Sequence, residues 1–341
     1  MKKHARIQMI SLQPSMPCIL VLLLMLFAGV AASGTVPATH TLAVQQTFSS
    51  PELAMQALVQ ATQTKNHQAI DRIFGPAADK LLSGDPVADD KHLTDFATGL
   101  HESARLQKNG NQYILLVGKN QWPFPVPIVQ QGGNWRFDTQ AGLEEILNRR
   151  IGENELSAIM TCRAYVVAQW QYFTDGDWGH DGVAAYAPKF ISSPGQHDGL
   201  YWETTAGEPS SPLGTLVAAA RAEGYGPQNR PAQATGSKAP HAPYHGYYFR
   251  ILTRQGLHAP GGKYDYTING NMIAGFALVA YPDKWGNSGV MTFIVNQQGR
   301  VYEKNLGSDT AKIAGAMDAY DPDPSWKLVD WKPDAASARP E

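Results

Sequence analysis

Apolar positions in the first readable stretch recur at helical spacing. Leu53, Ala57, Leu58 and Ala61 form one stripe. Ser49, Pro51 and Glu52 before it supply the cap, the first-turn proline and the acid of a capping box. Ile70, Ile73 and Phe74 predict a second, short helix that stops at Gly75-Pro76, and Leu81-Leu82 predict a further turn. Leu93, Phe96, Ala97 and Leu100 predict a third helix, with Asp89 and Asp90 suited to its N-terminal end. The period then changes. Gln112–Val117 and Asn134–Asp138 read as strands. Trp122–Val129 is extended, but its three prolines confine it to an edge or a covering segment.

A long helix follows from Leu143 to Phe173, which Gly152 could break. Leu156, Ile159, Met160, Val167 and Trp170 are expected to be its core stripe. A short helix runs to Ala222 and ends at Gly224. Beyond it, Gly246–Leu252, Tyr264–Ile268, Ala274–Tyr281, Gly289–Val295 and Val301–Lys304 read as strands of an antiparallel meander with Gly and Asn turns. Residues 226–243 hold four prolines and no acid, which predicts a mobile surface loop.

Composition alters this picture mainly at the N-terminus. Lys2, Lys3 and Arg6 precede an apolar run from Cys18 to Ala28, and Val30-Ala31-Ala32 then offers small residues. That order is a secretory signal peptide over residues 1–32, with cleavage near Ala32. The apolar run is too short for the ~20 residues of a spanning helix, so no retained transmembrane anchor is expected. Cys18 stands at the start of the apolar run rather than after it, which argues against lipidation. The expected location is the periplasm or the extracellular space. The full chain has 341 residues and a formal charge of -2; without the leader, 309 residues carry 25 basic and 30 acidic groups. An acidic balance argues against nucleic acid as a partner. Cys162 remains as the one thiol, too few for a disulfide scaffold or a cysteine-built zinc site, and reads as a small buried hydrophobe.

Helices followed by antiparallel strands predict an α+β chain. Residues 33–44 are expected to be a flexible start and residues 45–142 a small domain. The element order there resembles the cystatin-like folds of nuclear-transport-factor-2-type domains. Residues 143–330 make a second domain and 331–341 a flexible tail. The spacing Asn154-Glu155, Ala158-Ile159, Arg163, Ala168-Gln169 and Tyr172 resembles the helix of type IV pilin and pseudopilin heads, and Gly246–Phe249, Ala280–Pro282 and Gly289–Gly299 follow in the pilin-head order. The resemblance implies a pilin-head-like long helix packed on an antiparallel β-meander. A pilin's membrane half-helix is replaced here by the first domain, which argues against a filament subunit. The segments WPFP, WRFD, RRIGENEL, DGLYW, SPLG, PYHGYYF, GFALVAYP, GVMTFIVN and YEKNLG together resemble one bacterial family of exported proteins, the domain-of-unknown-function family twenty-nine fifty. That resemblance implies no activity.

Candidate chemistry is sparse. Asp175, Asp177 and Asp181 follow the long helix at spacings that admit an irregular calcium loop. Gly179 stands where a third ligand of an EF-hand belongs, and the loop lacks that motif's closing Glu. Calcium is thus the one cofactor the sequence admits; otherwise none is expected. His241 and His245 have helical metal-ligand spacing, but Pro243 between them opposes a helix; a zinc site would have to gather them with His180 and His197. His92 and His101 read as solvated helical residues. Ser288, within Gly286–Gly289, belongs to a hairpin turn rather than a nucleophile elbow. Tyr201, Trp202, Tyr244, Tyr247 and Tyr248 gather around the loop-to-meander transition, where rings could stack on sugar or peptide with Arg250 assisting. The working surface is therefore expected at Tyr201, Trp202, Tyr244, His245 and Arg250, beside the Asp175–Asp181 loop. The function expected is a non-enzymatic binding or assembly module of the cell envelope, its partner an envelope protein or a glycan. Two alternatives remain open: a hydrolase with its pocket near His245 and the Asp175–Asp181 loop, and a calcium-stabilised structural protein.

Overall fold

The computed structural model describes residues 45–176, 178, 182–204, 207–225 and 243–330. Residues 1–32, expected to be a signal peptide, residues 33–44, most of the expected 226–243 loop, residues 331–341, and Asp177, His180, Asp181 and His241 lie outside the described residues. Within them the chain is mixed α+β.

Helix α1 (Pro51–Gln63) is capped by Ser50, one residue later than the capping box predicts. Helix α2 (His67–Phe74) is capped by Asn66 and ends where Gly75 takes φ 71°, a left-handed turn that opens a 3-10 helix to Leu81. Helix α3 (Pro86–Glu102) starts at Asp85, whose carboxylate accepts from Val87 N and Ala88 N. Strands β1 (Ala104–Asn109), β2 (Gln112–Val117), β3 (Trp122–Pro123), β4 (Ile128–Gln131) and β5 (Asn134–Phe137) form an antiparallel sheet in the order β1-β2-β4-β5, with β3 also on β2. Strand β1 lacks an apolar alternation, and four of its six residues are exposed. Helices and sheet enclose a first core in which Phe74, Phe96, Phe124 and Phe137 pack ring on ring, with centroids 5.0–6.4 Å apart.

Helix α4 (Thr139–Asp175) is one unbroken helix of 37 residues, roughly 55 Å long. It begins four residues before the expected Leu143 because Asp138 caps it, and Gly152 does not interrupt it. Its first turns contribute Leu143 and Ile146 to the first core. Its later turns pack on a second sheet.

After α5 (Gly214–Ala222) come β6 (Tyr247–Leu252), β7 (Arg254–Gln255), β8 (Tyr264–Asp265), β9 (Thr267–Ile268), β10 (Asn271–Met272), β11 (Ala277–Pro282), β12 (Thr292–Asn296), β13 (Tyr302–Lys304), α6 (Thr310–Ala316), β14 (Ala319–Tyr320) and β15 (Lys327–Leu328). The second sheet is antiparallel in the order β15-β13-β12-β11-β6, and β14-β7-β8 form a small sheet in which β14 and β7 are parallel. Strand β12 begins later than expected because Val290 N and Met291 N donate to the Glu155 carboxylate of α4 instead of to a ladder. Strands β9 and β10 form a hairpin whose Asn269 and Gly270 both have positive φ, 53° and 89°.

The stripe expected to bury α4 mostly does not. Ile159 is only 6% exposed, but Met160 is 58% and Val167 66% exposed, and Leu156 and Trp170 are exposed as well. The face turned to the sheet carries Ala158, Ile159, Cys162, Tyr165, Val166, Ala168, Gln169 and Tyr172. Two polar members of that face are satisfied inside. Gln169 exchanges two hydrogen bonds with the Ala187 backbone, and Tyr165 donates to Ala277 O. Small residues at 158, 162 and 168 let the helix lie close on β11 and β12.

Candidate functional site

The C-terminal end of α4 meets three other segments. Tyr186 N donates to Met272 O at 2.8 Å, which fixes the stretch after α4 to the β9–β10 hairpin. Ser192 N donates to Tyr201 O at 2.8 Å, closing the 192–201 loop. Between them lies a cleft of about 130 Å³, with Tyr172, Trp178, Tyr186, Pro188, Asp198 and Met272 in its wall.

The polar tips of two of these rings are tied into the protein. Tyr172 Oη donates to His197 O at 2.7 Å, and Trp178 Nε1 donates to Tyr172 O at 2.9 Å. Burial, with Asp198 adding to it, pushes the Tyr172 phenol up to about 12. Burial likewise raises the Tyr186 phenol. Burial alone would raise Asp198 too, but hydrogen bonds from Lys189 and Ser193 outweigh it and hold the carboxyl below its usual range. Behind the cleft, Trp178 packs on Trp202 at 5.2 Å and His197 on Trp202 at 4.3 Å between ring centroids.

The structure does not gather the expected working surface into one place. Trp202 is buried in this aromatic layer, with its indole nitrogen donating to Pro209 O. Tyr201 is half-buried beneath the Arg221 guanidinium, 5.3 Å away. Arg250 is a structural residue rather than a helper to stacked rings: it donates to the carbonyls of Ala314 and Met317, satisfying the C-terminal end of α6. Tyr244 and His245 lie elsewhere, beside the turn that brings Gly246 against Asn154 of α4. Asn154 and Tyr172 are separated by roughly 27 Å of helix axis. Among the described residues, His245 and Asp175 are therefore not brought into one pocket, while most of the Asp175–Asp181 loop of the hydrolase alternative lies outside them. Asp175 ends α4, exposed. Among the described residues no group of three His, Cys, Asp or Glu side chains could hold a metal ion.

His245 belongs to a second polar group at the junction of the two cores. Its Nε2 lies 2.9 Å from Glu223 Oε2, and its ring packs on Tyr244 and Tyr225. Tyr225 donates to Asp85 at 2.8 Å. Burial and the Asp85 carboxylate raise the Tyr225 phenol, and burial together with Glu223 pushes Tyr244 up to about 12. A small cavity of about 30 Å³ lies beside this group, with Arg150, Asn154, His92 and Lys284 in its wall. His92 is thus not a solvated helical residue; it is 12% exposed and 3.7 Å from Glu153. Ser288 is a turn residue here, bonded to the Lys284 backbone.

Sequence reasoning missed most of the cleft because Asp198 and residues 270–272 come from elsewhere in the chain to close it against the rings of the 172–186 stretch. One readable signal was Asn269-Gly270, whose hairpin turn brings Met272 and Asn271 to the wall.

Fold and site together define a mixed α+β protein with two cores strung along one helix and a ring-walled cleft at that helix's end. The chain belongs to the family described as protein of unknown function (DUF2950), whose family model matches residues 45–329. No curated protein and no solved structure matches the chain.

Proposed function

We propose that the chain is an exported envelope protein that acts by binding, and that it docks an envelope partner along the outer face of α4. One observation carries this reading. Between Ile151 and Trp170 the exposed positions of α4 are Leu156, Met160, Val167 and Trp170, every one of them large and apolar. Their spacings of four, seven and three residues keep them on a single line roughly 21 Å long. Isolated exposed apolar residues are ordinary, but a continuous line of them marks an interaction site. Such a ridge fits an apolar helix or groove on the partner. The basic, apolar and small-residue order of residues 1–32 supports export. Among the described residues no helix is long and apolar enough to cross a membrane.

The test places a photo-crosslinking residue at position 160 of the tagged full-length chain in its native cell. Adducts with an envelope protein are expected, and the paired substitution Met160→Glu with Val167→Glu should abolish capture of that protein without lowering the melting temperature. Adducts that survive the pair unchanged, or a complete absence of adducts, would remove the reading. Adducts only with a second copy would make the ridge a self-association surface.

A further inference from the structure

The cleft at the end of α4 has the composition of a cation cage. Tyr172, Trp178 and Tyr186 supply three ring walls, Met272 an apolar one, and Asp198 the carboxylate. The polar tips of two of these rings are already bonded within the protein, Tyr172 Oη to His197 O and Trp178 Nε1 to Tyr172 O. Aromatic π-systems attract a cation held within about 6 Å, most strongly where water is excluded. Asp198 adds a fixed negative charge. Its Oδ1 accepts from Ser193 N at 2.7 Å, and its Oδ2 accepts from Lys189 Nζ and from Ser193 Oγ at 3.0 Å. Lys189 offsets part of that charge, and it does so from outside the cleft wall.

Size and polarity narrow the occupant. A cleft of about 130 Å³ is too small for an extended ligand; a dry cavity of about 150 Å³ accommodates one benzene ring. A primary ammonium carries three donors and would strand most of them against ring carbon. A sugar ring carries more donors still. A fully methylated ammonium has none, so it gains from rings and charge without leaving a polar atom unpaired. We propose that this cleft binds a trimethylammonium group, carried either by a small solute or by a lipid headgroup.

The test titrates the mature protein calorimetrically with choline and with 3,3-dimethyl-1-butanol, its neutral isostere of nearly the same shape. Choline should bind, and the isostere should bind about tenfold more weakly, the difference being the cation–π and carboxylate contribution. Trp178→Leu should weaken choline binding about fivefold or more, while Trp178→Phe retains most of it. Asp198→Asn should narrow the gap between choline and the isostere. The comparison of the two ligands on the unsubstituted chain stands even if either variant fails to fold. Sedimentation with phosphatidylcholine vesicles, against phosphatidylglycerol vesicles, separates the sources: selective co-sedimentation assigns the lipid headgroup, and binding of free choline alone assigns the solute. Equal binding of choline and its isostere, or no binding of choline up to about 50 mM, overturns the proposal.

Discussion

The Arg150 guanidinium donates to the Asn287 side-chain oxygen at 2.8 Å, and the Asn287 amide nitrogen donates onward to Ser83 O at 3.0 Å. Arg150 also donates to Leu81 O at 3.0 Å. One side chain on α4 thereby ties the segment before α3 to the turn between β11 and β12. Arg150 is only 4% exposed. Burial lowers its pKa, and the nearby Asp89 carboxylate partly offsets this. Removing it would strand two acceptors, Asn287 Oδ1 and Leu81 O, and take the nearby positive charge from Asp89, which keeps its bonds from Ser83 and Gly84.

Arg150→Met should therefore lower unfolding stability by about 3 kcal/mol, and Asn287→Ala by about 1–2 kcal/mol. The larger loss should split the calorimetric melt into two transitions, one for each core, because a buried tie between them is gone. A single transition at the parental temperature for Arg150→Met would show that the tie contributes nothing.

Gly289 and Tyr247 make a second close pair. A Cβ added at Gly289 would lie 2.1 Å from Tyr247 Oη and 2.6 Å from its ring. Tyr247 has no freedom to retreat, since it is fully buried and donates to Met291 O. Gly289→Ala should cost about 2 kcal/mol or more. Combined with Tyr247→Phe, which removes the nearest clashing atom, the loss should be smaller than the sum of the two single losses. A denaturation-based double-mutant cycle measures that coupling, and strict additivity would mean the two residues do not touch.

Asp198 sets an acid limit on its loop. Burial works against the charged form, yet the bonds from Lys189 and Ser193 hold its folded pKa below the unfolded value. The stability it contributes is therefore present above an unfolded pKa near 3.8 and is lost as pH falls through the depressed folded value. Thermal melts of the parent between pH 6 and pH 3 should drop more steeply at the acid end than those of Asp198→Asn. Parallel curves would show that the carboxylate is not held in this way.

Cys162 should behave as an inert thiol. It is completely buried, and burial pushes its pKa up to about 12 against a small opposing pull from Arg163. At pH 8 the thiolate fraction is then about 10⁻⁴ even before access is considered. Labelling by a thiol reagent should run at the rate of global unfolding and jump in denaturant. Fast labelling of the native protein would contradict the packing of α4 on its sheet.

How much of this was legible in the sequence depends on how local each feature is. The first helix and its proline follow from neighbouring residues, its cap to within one residue, and β6, β11 and β12 follow from short apolar runs. Strand β1 was not legible, because Arg105, Gln107 and Lys108 carry no strand signal of their own and pairing with β2 holds them in place. The cleft was not legible either. Its rings are set side by side by a hairpin and a closed loop, and Trp178 sat inside a stretch whose carboxylates pointed toward calcium. The rotation of α4 was a different failure. Periodicity reports that a stripe exists, but this helix carries two. One, at 156, 160, 167 and 170, is strongly apolar. The other runs through Ala158, Cys162, Tyr165 and Gln169 and looks weaker, because small and polar residues make a good contact only once their partners are in place.

That rotation can be checked directly. If Met160 and Val167 face water, a charge at either position keeps its solvation, and Met160→Glu or Val167→Glu should change stability by about 0.5 kcal/mol or less. If Ile159 and Val166 face the sheet, a glutamate there must be buried without a partner, and Ile159→Glu or Val166→Glu should cost about 4 kcal/mol or prevent folding. Neighbours one residue apart would then differ by several kcal/mol, an asymmetry that helix propensity alone cannot produce because each pair receives the same residue. Urea denaturation of the four variants reads the difference. A reversed order would restore the stripe that periodicity suggested and would remove the exposed ridge on which the docking proposal depends.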